Sequence, residues 1–275
     1  MSSGYEFVGG GTRDLAWINS TGHRNQIRML IESATQQKSN PTLCVLGAGA
    51  CNDLDLPSLL GIFSQITLVD LDGESVQRAL EKRQLAPSNQ ISLVSDLDVS
   101  GVYALLKQYG EHPSAELLAK IKRVVTDVKL SDLQQYDVIV STCMLSQLQN
   151  HVFENCQNDD ESLAELLALT RRRHLQLLVE HTNPGGSAIL VTDVTSSEAL
   201  PELAGDSFEV SESSWQKIVQ GNHFHGMSPL GINRDFDHDE QLQRLTEKTM
   251  TSRPWIWNAT ERLYACIAYY MSVKK

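Results

Sequence analysis

The chain has 275 residues, 41% of them hydrophobic, and a formal net charge of −11. At roughly 150 residues per domain, this length predicts one or two domains with enough apolar residues to bury a core. The longest apolar runs are far shorter than the roughly 20 residues that a membrane-spanning helix needs. The start, MSSGYEFVGG, lacks the basic and apolar regions of a signal peptide. We therefore expect a soluble, cytoplasmic protein without a membrane partner.

The charge balance and the cysteines narrow the classes of partner. With 34 Asp+Glu against 23 Lys+Arg, there is no surplus positive charge to neutralise a phosphate backbone, so no nucleic acid partner is expected. The 5 cysteines form no C-x-x-C pair and have no histidine cluster with zinc spacing beside them, so no metal site is predicted. An odd, scattered set of cysteines fits a reducing compartment.

Short apolar runs alternate with amphipathic stretches along the chain, which is typical of a parallel α/β sheet. A helix is predicted over 24–37, and 1–39 are expected to form an N-terminal helical or cap segment. Asp72 is expected to cap the helix that follows the second strand, and Pro87 to end it. Strands are predicted at 42–46, 66–69, 91–94, 136–140 and 187–192.

The remaining segments are less regular. A helical region over 102–121 is broken near 110–113, and 123–128 fit either a short strand or an extended connector. The clearest helix covers 161–181, and a second, over 237–250, begins with a capping-box pattern, Asp237-x-x-Glu240. A terminal hairpin is predicted at 255–257 and 262–273. We predict an α/β fold: a doubly wound, mostly parallel sheet with helices on both faces and a C-terminal antiparallel hairpin.

Two features after the first two strands predict a ligand. In open α/β sheets, ligands bind beyond the carboxyl ends of the strands. Gly47-Ala48-Gly49 follows the first strand, and glycines there let the backbone turn sharply and let a ligand approach main-chain N–H groups. That turn alone also fits a plain strand-to-helix connection. Asp70 ends the second strand, 23 residues after Gly47, where a carboxylate can accept both hydroxyls of a ribose. Together they predict an adenosine-containing ligand.

The start of the next helix distinguishes between adenosine ligands. Asn52 stands where the dinucleotide fingerprint has its third glycine, and Asp53 and Asp55 follow it. Negative charge in a first helical turn repels a pyrophosphate but favours a ligand that carries an ammonium and a sulfonium. This pattern favours S-adenosylmethionine over NAD.

At this point the sequence resembles the class I S-adenosylmethionine-dependent methyltransferases. The matching motifs are Val45-Leu46-Gly47-Ala48-Gly49, Leu68-Val69-Asp70, Tyr136-Asp137-Val138-Ile139-Val140-Ser141 and Asn183-Pro184-Gly185-Gly186. With the closing hairpin, they cover roughly residues 40–195 and the last 20. The resemblance implies a Rossmann-like domain over 40–275 with insertions near 102–125 and 195–250. The chain departs from the family pattern at Val45, where an acid is frequent, and at Cys51, where a third glycine is usual.

The resemblance also implies which residues contact the cofactor. They are Gly47, Ala48, Gly49, Asp70 with the following Leu71, and the pair Ser141-Thr142, which is expected to face the methionine portion. Asp53 is a hypothetical contact of the ligand's amino group, with a packing or capping role as the alternative. The acid that contacts adenine is Asp98, together with Val99, in the preferred assignment; Asp96 and Asp127 are the alternatives.

The implied reaction is in-line transfer of a methyl group from a sulfonium, which needs a base only if the acceptor must lose a proton. His223 and His225 are the weak candidates for that base, since imidazole titrates near neutrality. The alternatives are two surface histidines or, least favoured, a metal site with Asp235, Asp237 and His238. We expect a small-molecule acceptor rather than a protein side chain. The competing functions are an NAD-dependent oxidoreductase and a non-catalytic relative that binds the cofactor.

Overall fold

The structure is a computed structural model that describes residues 10–35, 38–85, 89–109, 113–156, 160–221, 223–259 and 261–275. Its strands form one sheet in the order β3-β2-β1-β4-β5-β8-β6, with β7 pairing with β8 off this path. The strands are β1 (Thr42–Leu46), β2 (Gln65–Asp70), β3 (Ile91–Ser95), β4 (Tyr136–Thr142), β5 (Thr182–Ser196), β6 (Thr246–Thr251), β7 (Trp255–Asn258) and β8 (Leu263–Val273).

The direction of the strands defines the fold class. Strands β1 to β5 pair in parallel, whereas β8 runs antiparallel to β5, β6 and β7. The chain moves outward from β1 through β2 to β3, then returns to the other side of β1 with β4. The strand order therefore reverses between β1 and β4, which is where open α/β sheets bind ligands.

Helices cover both faces of the sheet. On one face lie α2 (Thr21–Ala34), α3 (Leu56–Leu60) and α4 (Gly73–Lys82), and on the other lies α8 (Asp160–Glu180). The other helices are α1 (Gly10–Asn19), α5 (Tyr103–Tyr109), α6 (Ala115–Asp127), α7 (Met144–Asn155), α9 (Glu212–Gln220), α10 (Pro229–His238) and α11 (Glu240–Leu245), with a 3₁₀-helix at Pro201–Gly205.

The central strands are buried on both faces. Successive side chains of a strand point to opposite sides, so an uninterrupted apolar run contributes to the core on each face. Leu43 and Val45 of β1 pack with the core that includes α2, while Cys44 and Leu46 pack with the core that includes α8. All four are fully buried. Burying each such side chain stabilises the fold by roughly 1.5–3 kcal/mol. This continuous apolar run is the signal from which the parallel sheet was predicted.

The predicted fold class is confirmed, and so are the strands that carry it. Asp72 caps α4, with its side chain accepting a hydrogen bond from the backbone N–H of Ser75, as predicted. Pro87, predicted to end that helix, lies outside the described residues; α4 itself ends at Lys82.

Three local predictions were wrong. Residues 123–128 form neither a strand nor a connector, because α6 continues to Asp127. The helix expected over 237–250 is instead the end of α10, the short α11 and strand β6, which pairs with β8 at the sheet edge. The cap of α11 is Asp239, which accepts from the N–H of Leu242, rather than Asp237. In such polar segments the free edge of β8 decides the conformation, and no local periodicity reveals it.

Within the described part of the chain, no helix combines the length and the apolar character that crossing a membrane requires.

Candidate functional site

The glycine turn after β1 leaves open space at the carboxyl edge of the sheet. Gly47 and Gly49 have φ angles of +77° and +47°, a region that side chains other than glycine rarely adopt. A Cβ on Gly47 would lie 2.9 Å from Cβ of Met144, so this glycine is also required by packing. A Cβ on Gly49 would meet no atom within 4 Å. Gly49 therefore borders a space in which a ligand can approach the backbone, while Ala48 is buried beneath the turn.

Asp70 connects this turn to the end of β2. Its Oδ2 accepts a hydrogen bond from the N–H of Gly49 at 2.7 Å, and its Oδ1 accepts one from the N–H of Asp72 at 2.8 Å. Each carboxylate oxygen can accept a further hydrogen bond, which is what two ribose hydroxyls require. The next side chain, Leu71, is 37% exposed although it is large and apolar. The turn, the carboxylate and this apolar surface adjoin one another.

Cys51 stands at the position where class I methyltransferases usually have a third glycine. Its backbone adopts the left-handed conformation that favours glycine. Its φ is +52°, and its side chain is buried. A non-glycine residue in this region costs of order 1–2 kcal/mol. The chain therefore keeps a left-handed backbone at this position although the residue is a cysteine.

The two acids after β3 have different environments. Asp98 accepts hydrogen bonds from the N–H of Ser100 on one oxygen and from the N–H of Tyr103 on the other, so it holds the turn that precedes α5. Val99 is buried. Asp96 is exposed, has a φ of +60°, and takes no hydrogen bond from the described part of the chain. Asp127 ends α6 and does not follow a strand.

The pair at the end of β4 is more enclosed than expected. Ser141 is fully buried, and its Oγ lies 2.9 Å from Nε2 of His174 on α8. The hydroxyl of Thr142 donates to the carbonyl oxygen of Gly47 at 3.2 Å. Ser141 thus connects the sheet to α8, and Thr142 connects it to the glycine turn. Ser141 presents no exposed side-chain surface to a ligand.

Asp53 lies in the loop after the glycine turn with one oxygen buried and unpaired. Its side chain is 20% exposed, but Oδ1 is buried and accepts no hydrogen bond from the described residues. Burial raises the pKa of this carboxyl to about 7, although Arg24 and Arg83 act in the opposite direction. Such an oxygen fits an ammonium group as its partner.

Arg24 and Arg83 hold the backbone of the loop that contains Asp53. Arg24 donates to the carbonyl oxygen of Asn52 at 3.0 Å, and Arg83 donates to that of Cys51 at 3.2 Å. Both guanidinium groups lie over the ring of Trp17 on α1, with their central carbons 3.5 and 4.2 Å from its centroid. The acidity of the loop, which the sequence predicted to repel a pyrophosphate, is thus partly balanced by cations that only the tertiary structure reveals.

The other two acids of this region serve as helix caps. Asp55 accepts hydrogen bonds from the backbone and the side chain of Ser58 at the start of α3. Asp72 caps α4, as described above. Among the four acids that the sequence places at this edge, Asp53 and Asp70 remain for a ligand.

His23 is a residue of the site that the sequence predictions missed. It is buried on α2, with Nε2 at 3.8 Å from Oδ1 of Asp53 and 4.0 Å from Sγ of Cys143. A signal was present in the sequence, since His23 precedes Ile27 and Ile31 at intervals of four residues and so extends the apolar face of the helix.

A second buried acid lies close to Asp53. Asp193, near the end of β5, is 6% exposed, and its Oδ1 accepts a hydrogen bond from Oγ of Ser146 at 2.5 Å. Burial raises its pKa, and its charge in turn raises the pKa of Asp53. No motif distinguished Asp193 in the sequence.

The candidate bases lie on the segment between α9 and α10. Nε2 of His223 is 3.2 Å from the carbonyl oxygen of Lys217, and His225 stacks on Phe153 with 3.6 Å between ring centroids. Met144, which packs against Gly47, is the first residue of α7. Phe153 lies nine residues further along the same helix, near its end. These contacts bring neither histidine to the glycine turn.

The alternative metal site is not formed. In the part of the chain that the structure describes, no three His, Cys, Asp or Glu side chains are grouped to hold a metal ion. Asp235 is instead buried in an ion pair with Arg171, with 2.6 Å between Oδ2 and Nε.

Comparison with known proteins gives similarities of fold. No family model and no curated protein sequence matches the chain. Among solved structures, magnesium protoporphyrin IX methyltransferase from Synechocystis PCC 6803 with bound SAH is 12% identical, with a TM-score of 0.48 over 99% of this chain and 90% of that one. A SAM dependent methyltransferase from Aquifex aeolicus is 12% identical, with a TM-score of 0.47 over 98% and 100% of the two chains.

A third solved structure, human N-acetylserotonin methyltransferase in complex with SAM, is 13% identical, with a TM-score of 0.45 over 96% of this chain and 55% of that one. The sheet itself decides the fold: five parallel strands in the order β3-β2-β1-β4-β5 are followed by an antiparallel β8 beside β5. This topology is the doubly wound, mostly parallel sheet with an antiparallel C-terminal strand that the sequence predicts and that the resemblance to class I methyltransferases implies.

Proposed function

We propose that the chain binds S-adenosylmethionine at the carboxyl edge of β1, β2 and β4 and transfers its methyl group to a small-molecule acceptor. The observation that carries the proposal is the Asp70 carboxylate. It is fixed by the N–H of Gly49 beside open space and keeps acceptor capacity on both oxygens.

The residues present fit the parts of this cofactor. Asp70 would accept the ribose hydroxyls, and the exposed side chain of Leu71 would lie against the adenine ring. The unpaired Oδ1 of Asp53 offers a partner for the ammonium group. For the adenine amino group, Asp98 remains the candidate from the family pattern. Asp96 is the alternative, favoured by its exposure, because Asp98 already accepts from its own turn.

The chemistry that the cofactor supplies is an electrophilic methyl group on a sulfonium, and the sulfide that leaves is neutral. The protein's contribution is then mainly to position the acceptor in line with the S–CH₃ bond and to exclude water. In its ionised form, Asp53 favours a positively charged ligand over a pyrophosphate, because a nearby anion destabilises another anion.

Calorimetric titration tests the proposed ligand. We expect S-adenosylhomocysteine to bind the purified protein, and NADH not to bind under the same conditions. Binding of NADH without binding of S-adenosylhomocysteine would overturn the proposal in favour of an oxidoreductase. Incubation with methyl-labelled S-adenosylmethionine and cell extract then separates an enzyme from a non-catalytic relative, which would bind the cofactor without labelling any acceptor.

The candidate bases are tested by the double variant His223→Ala/His225→Ala. Because general-base catalysis contributes roughly 10²–10⁴-fold, a base in this pair would lower methyl transfer by at least about 100-fold. The contacts to Lys217 and Phe153 lead us to expect a smaller decrease.

A further inference from the structure

We propose that His23 is a positioning residue for the cofactor loop. Trp255 holds its imidazole as the Nε2–H tautomer, Trp257 stacks on the ring, and the Nε2–H group orients the carboxylate of Asp53 for the ammonium group of the ligand. The inference rests on the function proposed above. It gives α2 and the C-terminal strands a role in cofactor binding.

The tautomer follows from the partner of the other ring nitrogen. Nε1 of Trp255 lies 3.0 Å from Nδ1 of His23, and an indole N–H can only donate. Nδ1 must therefore accept, and the proton of the neutral ring is on Nε2. Trp257 stacks on the same imidazole at 4.6 Å between centroids and 14° between planes, and its own N–H donates to Oγ of Ser20 at 3.0 Å.

The imidazole remains neutral in this environment. Burial is the main cause that lowers the pKa of His23 to about 3, and the neighbouring Arg24 acts in the same direction. At neutral pH His23 is thus a hydrogen-bond donor through Nε2 and not a cation.

This donor faces the unpaired oxygen of the site. Nε2 lies 3.8 Å from Oδ1 of Asp53, a buried atom that no described residue hydrogen-bonds. The other neighbour of Nε2 is Sγ of Cys143 at 4.0 Å, a thiol whose pKa is raised by its hydrogen bond with Cys266 and by burial. A movement of about 1 Å would bring Nε2 and Oδ1 into ordinary hydrogen-bond distance.

Several groups act on the protonation of Asp53. Burial raises its pKa to about 7, Arg24 and Arg83 lower it, and Asp193 raises it. The titratable and charged groups that face Asp53 are His23 and Arg24 on α2, Cys51 in its own loop, Arg83 after α4, Cys143 before α7, Asp193 on β5 and Cys266 on β8. In this set, His23 is a neutral donor whose Nε2 lies 3.8 Å from Oδ1.

Loss of the donor should therefore change the pH dependence of binding. A carboxyl that must be ionised to receive an ammonium group binds it only above its own pKa. Removing a donor that can hydrogen-bond the ionised form raises that pKa. The pH at which binding becomes half-maximal should then increase.

The experiment compares wild type with His23→Leu, His23→Gln and Trp255→Phe. Long-range ¹H–¹⁵N NMR of the ligand-free protein reports the tautomer, and ¹³C NMR of the carboxyl reports the pKa of Asp53. We expect an Nε2–H signal in wild type and a mixture of tautomers in Trp255→Phe. In His23→Leu we expect the pKa of Asp53 to rise by about one unit. Glutamine, which can place an N–H near the position of Nε2, should restore it.

Titration with S-adenosylhomocysteine between pH 6 and 9 completes the test. For His23→Leu we expect about fivefold weaker binding at pH 7, because a one-unit rise from a pKa of about 7 lowers the ionised fraction of Asp53 by about that factor, and recovery towards pH 9. Equal weakening at every pH would show a merely structural role and overturn the proposal, as would an Nδ1–H tautomer in wild type. If S-adenosylhomocysteine does not bind wild type at all, the proposed function fails, whereas the two NMR measurements still decide the relation of His23 to Asp53.

Discussion

The substitution Asp70→Asn tests the centre of the proposed site because it preserves shape and removes charge. The carboxylate now accepts from the N–H groups of Gly49 and Asp72, and we assign its remaining lone pairs to the ribose. An amide in its place has one acceptor oxygen, and its NH₂ group must face a donor. A hydrogen bond to a charged group contributes about 1.5–3 kcal/mol. Losing one corresponds to roughly 10- to 150-fold weaker binding of S-adenosylhomocysteine.

Calorimetry on the folded variant measures this change, and Asp72→Asn is the matched control. Asp72 lies two residues away and caps α4, and asparagine is as good an N-cap as aspartate. The control therefore removes the same charge from the same edge while keeping the helix, and we expect its affinity to stay within about threefold of wild type. An equally small effect of Asp70→Asn, with unfolding temperature retained, would refute the assignment of Asp70 to the ribose.

Three further predictions concern stability. Gly47→Ala places a side chain at φ +77° with its Cβ 2.9 Å from a side-chain carbon of α7, and should lower the melting temperature by several degrees; Gly205→Ala, where the added Cβ meets no atom, should not. Asp235→Ala leaves Arg171 buried without its 2.6 Å partner and should cost about 3–5 kcal/mol in denaturant unfolding; a cost below about 1 kcal/mol would contradict that role. Burial lowers the pKa of His174 to about 4, so the unfolded chain gains a proton that the native state excludes as pH falls from about 6.5 towards 4. Stability should fall over this range by about 1.4 kcal/mol per pH unit from this group, and the slope in His174→Gln should be shallower by that amount.

The five parallel strands were predictable because they are buried on both faces. A strand such as Thr42–Leu46 consists almost entirely of apolar residues, and a run of this length between turn signals has few alternatives. The segment between 195 and 251 was not predictable in the same way. Its strand β6 has mostly exposed side chains, and it is a strand because β8 offers it an unpaired edge.

In the candidate site, too, the positions of residues could be predicted from the sequence, whereas their contacts could not. The glycine turn and Asp70 follow strands that the sequence defines, so their meeting at one edge was deduced from the fold class. The positions of Ser141 and Asp98 were deduced equally well, but their hydrogen bonds to His174 and to Ser100 and Tyr103 depend on packing and local turn geometry.

The sequence by itself determined the fold class, and it predicted the location of the candidate site and the class of ligand, because these depend on the order of apolar runs and on the residues that follow each strand. Only the tertiary structure decided the environment of Asp53. His23, Arg24 and Asp193, which surround it, come from distant parts of the chain. Burial raises the pKa of Asp53 to about 7, Asp193 acts in the same direction, and Arg24 opposes it. Desolvation and charge act through distances in space, which sequence separation does not report.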